Sequence, residues 1–92
     1  MFPRAARQPV EHPATLIHPD GRMRHGTLSD VSIRGARFTG RRLPPPDAEV
    51  EVDVEGLRVP ARVAWTRDDA TGLEFLDPME RLSLSLVRRV MR

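Results

Sequence analysis

The sequence EVEVDVEGLRVPARVAW, residues 49–65, decides the fold class of this chain. On both sides of Gly56 an apolar residue occupies every second position, which is the period of a β-strand with one buried face and one wetted face. The stretch therefore predicts a β-hairpin. The positions expected to face inward are Val50, Val52, Val54, Leu57, Val59, Ala61, Val63 and Trp65.

Shorter stretches on either side of this hairpin continue the alternation. Turn residues such as Pro19 and Gly21 separate them, and the three consecutive prolines at 44–46 indicate a loop, because proline cannot donate to a continuous ladder. Four further strands are predicted, at residues 14–18, 22–30, 36–39 and 73–76. The sequence thus indicates an all-β fold with six antiparallel strands, arranged as a sandwich or a barrel.

The C-terminal segment, residues 78–92, is expected to form a helix. Asp77 is placed as its N-cap, Pro78 as its first residue and Glu80 as the partner in a capping box. The predicted apolar stripe of this helix consists of Met79, Leu82, Leu86, Val87 and Val90. We expect the stripe to cover an open end of the barrel. The chain then divides into an arginine-containing lead, residues 1–13, and one barrel domain, residues 14–92.

Length and composition exclude several classes of protein. With 92 residues the chain is one small domain, too small for a deep substrate cleft between two lobes. It has no cysteine, so disulfides, thiolate nucleophiles and zinc–thiolate sites are excluded. The apolar stretches are too short for a membrane-spanning helix or a signal peptide, and we expect a cytoplasmic protein that does not act at a membrane.

The cations are distributed unevenly along the chain. All 15 basic residues are arginine, the side chain that forks onto phosphates and onto the edge of guanine. Residues 1–42 hold 8 arginines and 3 acidic residues, whereas residues 43–92 hold 7 arginines and 10 acidic residues. The first half is therefore the candidate for binding an anion. Only four aromatic residues are present, so the sequence poorly supplies a nucleic-acid platform of stacked rings.

The connection Asp30-Val31-Ser32-Ile33-Arg34-Gly35 combines a carboxylate, a hydroxyl and a glycine in one tight turn. Alone, such a set also closes ordinary turns on their own backbone. Its surroundings are more specific, namely the arginines before the first strand, Gly35-Ala36-Arg37-Phe38, Val63-Ala64-Trp65 and Gly72-Leu73-Glu74-Phe75. Together these segments resemble the PilZ family of bacterial cyclic di-GMP receptors, and the resemblance covers nearly the whole chain.

The two motifs of that family are matched unequally. The turn motif [D/N]xSxxG is matched at every specified position by Asp30, Ser32 and Gly35. The arginine motif RxxxR is not, because Arg4 and Arg7 are three residues apart instead of four. The same spacing occurs elsewhere, at Arg37/Arg41, Arg58/Arg62 and Arg88/Arg92, and we assign these pairs to strand faces and the terminal helix.

The resemblance implies a six-stranded PilZ-like barrel that binds cyclic di-GMP, requires no other cofactor and is not an enzyme. The residues it implies in ligand binding are Arg4, Arg7, Asp30, Ser32, Gly35 and Trp65. Arginine suits phosphates and guanine O6 and N7, and a carboxylate accepts hydrogen bonds from guanine N1 and N2. Trp65 would flank the ligand, although we expect most of its surface to pack in the core beside Val63. Binding would order the lead, and a downstream partner protein would detect the change.

Three alternatives stay open from the residues alone. The departure in the arginine motif favours a degenerate PilZ domain that binds a protein instead of a nucleotide. A small barrel for RNA or DNA is supported by the basic first half and opposed by the acidic second half. An enzyme is the weakest reading: His12, His18 and His25 are too scattered for a metal site, and nothing arranges Ser32, His25 and Asp30 as a catalytic relay.

Overall fold

The computed structural model describes residues 8–91, which form six β-strands followed by one α-helix. The elements are β1 (Gln8–Ile17), β2 (Met23–Val31), β3 (Gly35–Thr39), β4 (Glu49–Val54), β5 (Leu57–Arg67), β6 (Ala70–Phe75) and α1 (Arg81–Val90). The strands close into a barrel in the order β1-β2-β3-β6-β5-β4, and all neighbouring strands are antiparallel. The predicted fold class is confirmed, and of the two arrangements considered the sheet forms a barrel and not a sandwich.

The β4–β5 hairpin forms as its alternation predicts. Val52 pairs with Val59 in the register, and both side chains are completely buried. Glu55 and Gly56 connect the strands with φ values of 53° and 87°, the pair of positive φ angles that a two-residue hairpin turn requires. The inward faces of the strands meet in one core, and its largest fully buried side chain is Phe38 on β3.

The first strand starts earlier than the sequence predicts. Residues 8–13, assigned to the lead, are part of β1, and the strand pairs with β2 from Gln8 opposite Val31 onward. The prolines at positions 9 and 13 concealed this strand, since proline weakens a ladder. They are tolerated because β1 pairs with its other neighbour, β4, only at residues 15–17. The barrel therefore includes residues 8–13 of the predicted lead, and residues 1–7 lie outside the described part of the chain.

The helix begins later than predicted, at Arg81 instead of Pro78. Glu80 is the residue before the helix, in a left-handed conformation with φ 56°, and it makes no side-chain cap. Asp77 still supports the helix start, because its Oδ2 accepts hydrogen bonds from the backbone N–H of Ser83 at 2.9 Å and from the Ser83 hydroxyl at 3.3 Å. The predicted capping box is wrong, but the sequence did identify Asp77 as the carboxylate that accepts a hydrogen bond from a backbone N–H in the first turn of α1.

The buried face of α1 is narrower than the predicted stripe. Ser83, Leu86 and Val90 are buried, whereas Met79 and Leu82 are exposed. The helix packs against β5 and β1, and Leu86 and Val90 belong to the same core as the barrel strands. Within the part of the chain that the structure describes, no helix is long and apolar enough to span a bilayer.

Candidate ligand-binding site

The turn between β2 and β3 is built on the hydroxyl of Ser32. Asp30, the last residue but one of β2, has φ 48°, and the chain then reverses so that the N–H of Ser32 donates to the Gly35 carbonyl at 2.9 Å. The Ser32 Oγ accepts hydrogen bonds from the N–H of Arg34 at 3.1 Å and of Gly35 at 3.3 Å. The side chain of Ser32 is buried. Its hydroxyl therefore maintains the shape of the turn, and its hydrogen bonds with residues 8–91 all lie within the turn.

Gly35 is required by close packing and not by an unusual backbone angle. Its φ is not positive; the left-handed residue of the turn is Asp30. A Cβ on Gly35 would overlap the Leu73 carbonyl oxygen of β6 and lie 3.2 Å from the Leu73 carbonyl carbon. On the same strand, the N–H of Phe75 donates to the Arg34 carbonyl at 2.8 Å. The turn is thus held flat against β6, which fixes where Asp30 stands.

An open groove of about 740 Å³ runs from this turn across β3, β6 and β5 to the start of α1. Three of the residues that the sequence selected line it, namely Asp30, Gly35 and Trp65. Ser32 does not line it and lies behind the wall as its support. The remaining lining residues are Ile33, Arg34, Ala36, Arg37, Ala64, Gly72, Leu73, Glu74, Phe75, Asp77, Pro78 and Glu80.

Trp65 faces the groove and not the core, contrary to the strict alternation of β5. The register of β5 against β6 shifts between Val63 and Trp65, so the strand carries one extra residue there. Val63 is completely buried, while Trp65 is 38% exposed. Trp65 does not belong to the core cluster that contains Val63, so the expectation that most of its surface packs there was wrong. That Trp65 flanks a bound ligand stays a prediction.

Two arginines that sequence reasoning did not assign to the site lie beside this ring. The guanidinium carbon of Arg37 on β3 is 6.0 Å from the centroid of the indole, and that of Arg67 on β5 is 5.6 Å from it. Both distances are within the range of cation–π attraction. Arg67 follows Trp65 by two positions, which is the available sequence signal that both share one face of the strand.

The arginine pair selected from the sequence, Arg4 and Arg7, lies outside the described residues. The described chain begins at Gln8, which pairs with Val31, the neighbour of Asp30. The first strand therefore enters the barrel next to the turn that carries the motif.

The histidines are used in local contacts. His25 shares a hydrogen bond of 3.0 Å with the Thr15 hydroxyl, and His12 Nε2 is 3.2 Å from a carboxylate oxygen of Glu55. The hydrogen bonds found for Ser32 remain inside its own turn, so His25 and Ser32 are each engaged with other partners. Among residues 8–91, no three side chains of His, Asp or Glu are grouped so that they could hold a metal ion.

Burial changes the chemistry of one histidine at the opposite end of the barrel. His18, in the β1–β2 turn, is largely buried, and its Nε2 has no hydrogen-bond partner among the described residues. Desolvation by burial, followed by the charges of Arg22 and Arg24, lowers the pKa of His18 below its usual 6.5. This group does not line the groove and affects stability instead of the site.

Comparison with known proteins agrees with this architecture. A solved structure described as the PilZ domain of CeSA from a cellulose-synthesizing bacterium superposes with a TM-score of 0.71 and 22% sequence identity, covering 92% of this chain and 94% of that one. Comparison with curated protein sequences gives no match. The family model for the PilZ domain matches residues 2–92, which is almost the entire sequence. The chain belongs to the PilZ domain family.

Proposed function

We propose that this PilZ domain is a receptor for cyclic di-GMP and that the ligand binds in the groove between the β2–β3 turn and Trp65. The observation that carries the proposal is that one groove brings together a carboxylate from the turn, an exposed indole from β5 and two arginines, Arg34 and Arg37. A cyclic dinucleotide offers two phosphates and two guanines, and each of these side-chain types matches one of them. PilZ is a family of cyclic di-GMP receptors, which supports the same ligand.

Asp30 is the proposed reader of guanine. Its carboxylate would accept hydrogen bonds from guanine N1–H and N2–H, a pattern that adenine does not offer. Ser32 and Gly35 act on this contact indirectly, because the Ser32 hydroxyl supports the turn and Gly35 lets it lie against β6. Trp65 would provide a flat surface for a purine, since base–aromatic stacking requires only an exposed ring.

Arg4 and Arg7 are the proposed phosphate and guanine-edge ligands, by their resemblance to the arginine motif. The entry of β1 beside Val31 supports this assignment, because the chain reaches the barrel next to Asp30. Binding is proposed to order the segment before Gln8 and so to alter the surface offered to a downstream partner protein. The expected measurement is slower hydrogen exchange of the backbone amides at positions 4–7 on addition of ligand; unchanged exchange under saturating ligand would refute the relay.

The second candidate function is that of a degenerate PilZ domain that binds only a partner protein. The three-residue spacing of Arg4 and Arg7 favours it, because it departs from the four-residue spacing of the family's arginine motif. The retained carboxylate and exposed indole in one groove oppose it. Cytoplasmic location is part of both proposals, and neither requires catalysis.

Calorimetric titration of cyclic di-GMP into the full chain, with GTP and cyclic di-AMP as controls, tests the receptor function. Asp30→Asn keeps the shape of the side chain and a residue type that tolerates positive φ, but removes the charge. Asp68→Asn is its matched control, since Asp68 also has a positive φ (53°) and is exposed outside the groove.

We expect saturable binding by the wild type and by Asp68→Asn, and at least a tenfold loss for Asp30→Asn, because a hydrogen bond to a charged group contributes about 1.5–3 kcal/mol. Arg4→Ala and Arg7→Ala should also weaken binding, whereas Arg88→Ala, an equal charge change on the exposed face of α1, should not. Absence of binding by the wild type would refute the receptor function and favour the protein-binding alternative. Salt-sensitive binding of random oligonucleotides would instead indicate a nucleic-acid partner.

A further inference from the structure

Three residues form a row across the outer face of the barrel beside the groove. In the register, Arg37 on β3 pairs with Gly72 on β6, and Gly72 pairs in turn with Trp65 on β5. The central position of the row therefore has no side chain. The row joins the two walls of the groove, because Arg37, Gly72 and Trp65 all line it.

The indole of Trp65 occupies the space that a side chain at position 72 would fill. A Cβ built on Gly72 would lie 2.5 Å from Cε2 and 2.7 Å from Cδ1 of the Trp65 ring, and nearer still to Nε1. Real Cβ atoms do not make such contacts, so any residue other than glycine would displace the ring. Nothing about the backbone demands glycine here, since the φ of Gly72 is not in the left-handed region. The requirement is for space.

Because the indole of Trp65 packs over Gly72, it lies close to two arginines on different strands. Trp65 leans over β6 toward Arg37, while Arg67 approaches it from its own strand, and both guanidinium carbons lie within 6.0 Å of the ring centroid. Two carboxylates that line the groove have other partners: Glu74 is paired with Arg62, and Asp77 accepts from the N–H of Ser83. Among the described residues neither Arg37 nor Arg67 forms a salt bridge, and Arg37 itself lines the groove.

We propose that Gly72 is a positioning residue for the ligand and that Trp65, with Arg37 and Arg67 beside its ring, forms a cationic stacking wall for a phosphate-bearing purine. This inference rests on the proposed function and adds to it the wall opposite Asp30. The indole offers an apolar face to a base, and the guanidinium groups beside it attract the phosphate of the same nucleotide. The wall also offers two arginines besides Arg4 and Arg7.

A spectroscopic test without ligand examines the arrangement itself. Trp65 is the only tryptophan in the chain, so its fluorescence reports this wall and nothing else. Neighbouring cations concentrate iodide near the ring, and the quenching constant for iodide divided by that for neutral acrylamide measures the effect. We expect this ratio to fall at least twofold in Gly72→Ala and in the double variant Arg37→Gln/Arg67→Gln. Two control variants should leave the ratio unchanged. Arg88→Gln removes one charge from the exposed face of α1, and Gly21→Ala adds a Cβ to an exposed turn, where φ is +89° and the Cβ has no neighbour within 4 Å.

Titration with cyclic di-GMP then tests the role in binding. Gly72→Ala and Trp65→Ala are each expected to reduce affinity about tenfold, a typical effect of losing one base–aromatic stack. Gly72→Ala added to Trp65→Ala should cause no further loss, because the Cβ then meets no ring. This comparison separates positioning from a general loss of stability.

The outcomes are distinguishable. If the wild type binds no cyclic di-GMP but the quenching ratio changes as expected, the proposed function fails while the row stands. If Gly72→Ala leaves the ratio and the emission spectrum as in the wild type, Gly72 does not position the ring and the inference is refuted. If the ratio falls but affinity is retained, the row is not part of the binding site, and the inference is again refuted.

Discussion

Replacing Ser32 by alanine tests whether the hydroxyl of the motif holds the turn together. The change removes the acceptor for the N–H groups of Arg34 and Gly35, at 3.1 and 3.3 Å. Each neutral hydrogen bond contributes about 0.5–1.5 kcal/mol net, and the donation to the Gly35 carbonyl, at 3.4 Å, adds little. We therefore expect the free energy of unfolding to fall by about 2 kcal/mol. For a domain of this size that corresponds to a decrease in Tm of about 10 °C.

Urea unfolding followed by circular dichroism measures this loss, with thermal unfolding as a second observable. The control is Ser85→Ala, because Ser85 is exposed on α1, where alanine is the better helix former by about 0.5 kcal/mol. That variant should be as stable as the wild type or slightly more stable. A loss below about 0.5 kcal/mol for Ser32→Ala would contradict the reasoning, since the buried hydroxyl would then not be what keeps the two backbone N–H groups satisfied.

Three further predictions concern other parts of the barrel. Folding lowers the pKa of His18, mainly by burial, so the unfolded chain takes up a proton at this residue before the folded chain does, and the free energy of unfolding should fall as the pH drops below about 6.5. Urea unfolding of His18→Asn between pH 7.5 and 5.5 should show a smaller dependence of that free energy on pH. An unchanged dependence would contradict the prediction. Asp77→Ala should cost about 1 kcal/mol by removing the acceptor at the start of α1, with a loss of helical signal, whereas equal stability would show that the Ser83 N–H finds another partner. Gly35→Ala should lower the free energy of unfolding by about 1–3 kcal/mol in the same assay, because its Cβ meets the backbone of Leu73, which cannot move aside as a flexible side chain can. A stability equal to that of the wild type would show that β3 can withdraw from β6.

The barrel was predictable because apolar residues alternate with polar ones in its clearest strands. In β4 and β5 the pattern of one apolar residue in two fixes which face is buried, and the structure buries those positions from Val50 to Val63 except Leu57, which is half-buried. The last strand begins earlier than predicted, at Ala70 instead of residue 73, so that only residues 68 and 69 connect it to β5. Hairpin ends depend on local backbone angles such as the φ of 53° at Asp68, which composition does not reveal.

The candidate site was predictable only in part. The turn motif located Asp30 and Gly35, but the sequence did not reveal that the Ser32 hydroxyl is spent within the turn. Trp65 was placed inward because the register shift after Val63 has no signature in the alternation. Its neighbours Arg37 and Arg67 were missed for the same reason: they meet the ring only when it points outward across β6.

Closure of the barrel constrains how other proteins can recognise this domain. The ladder is completed by the pairing of β1 with β4 at residues 15–17, so the six described strands form a continuous ring. Residues 8–14 of β1 have no partner strand on the side of β4, but the prolines at positions 9 and 13 make this stretch a poor template for an added strand. The closed ring therefore leaves little edge along which a foreign strand could extend the sheet, and we expect a partner protein to contact side chains on the helix, the turns or the groove rim. The same closure limits aggregation through the pairing of strand edges.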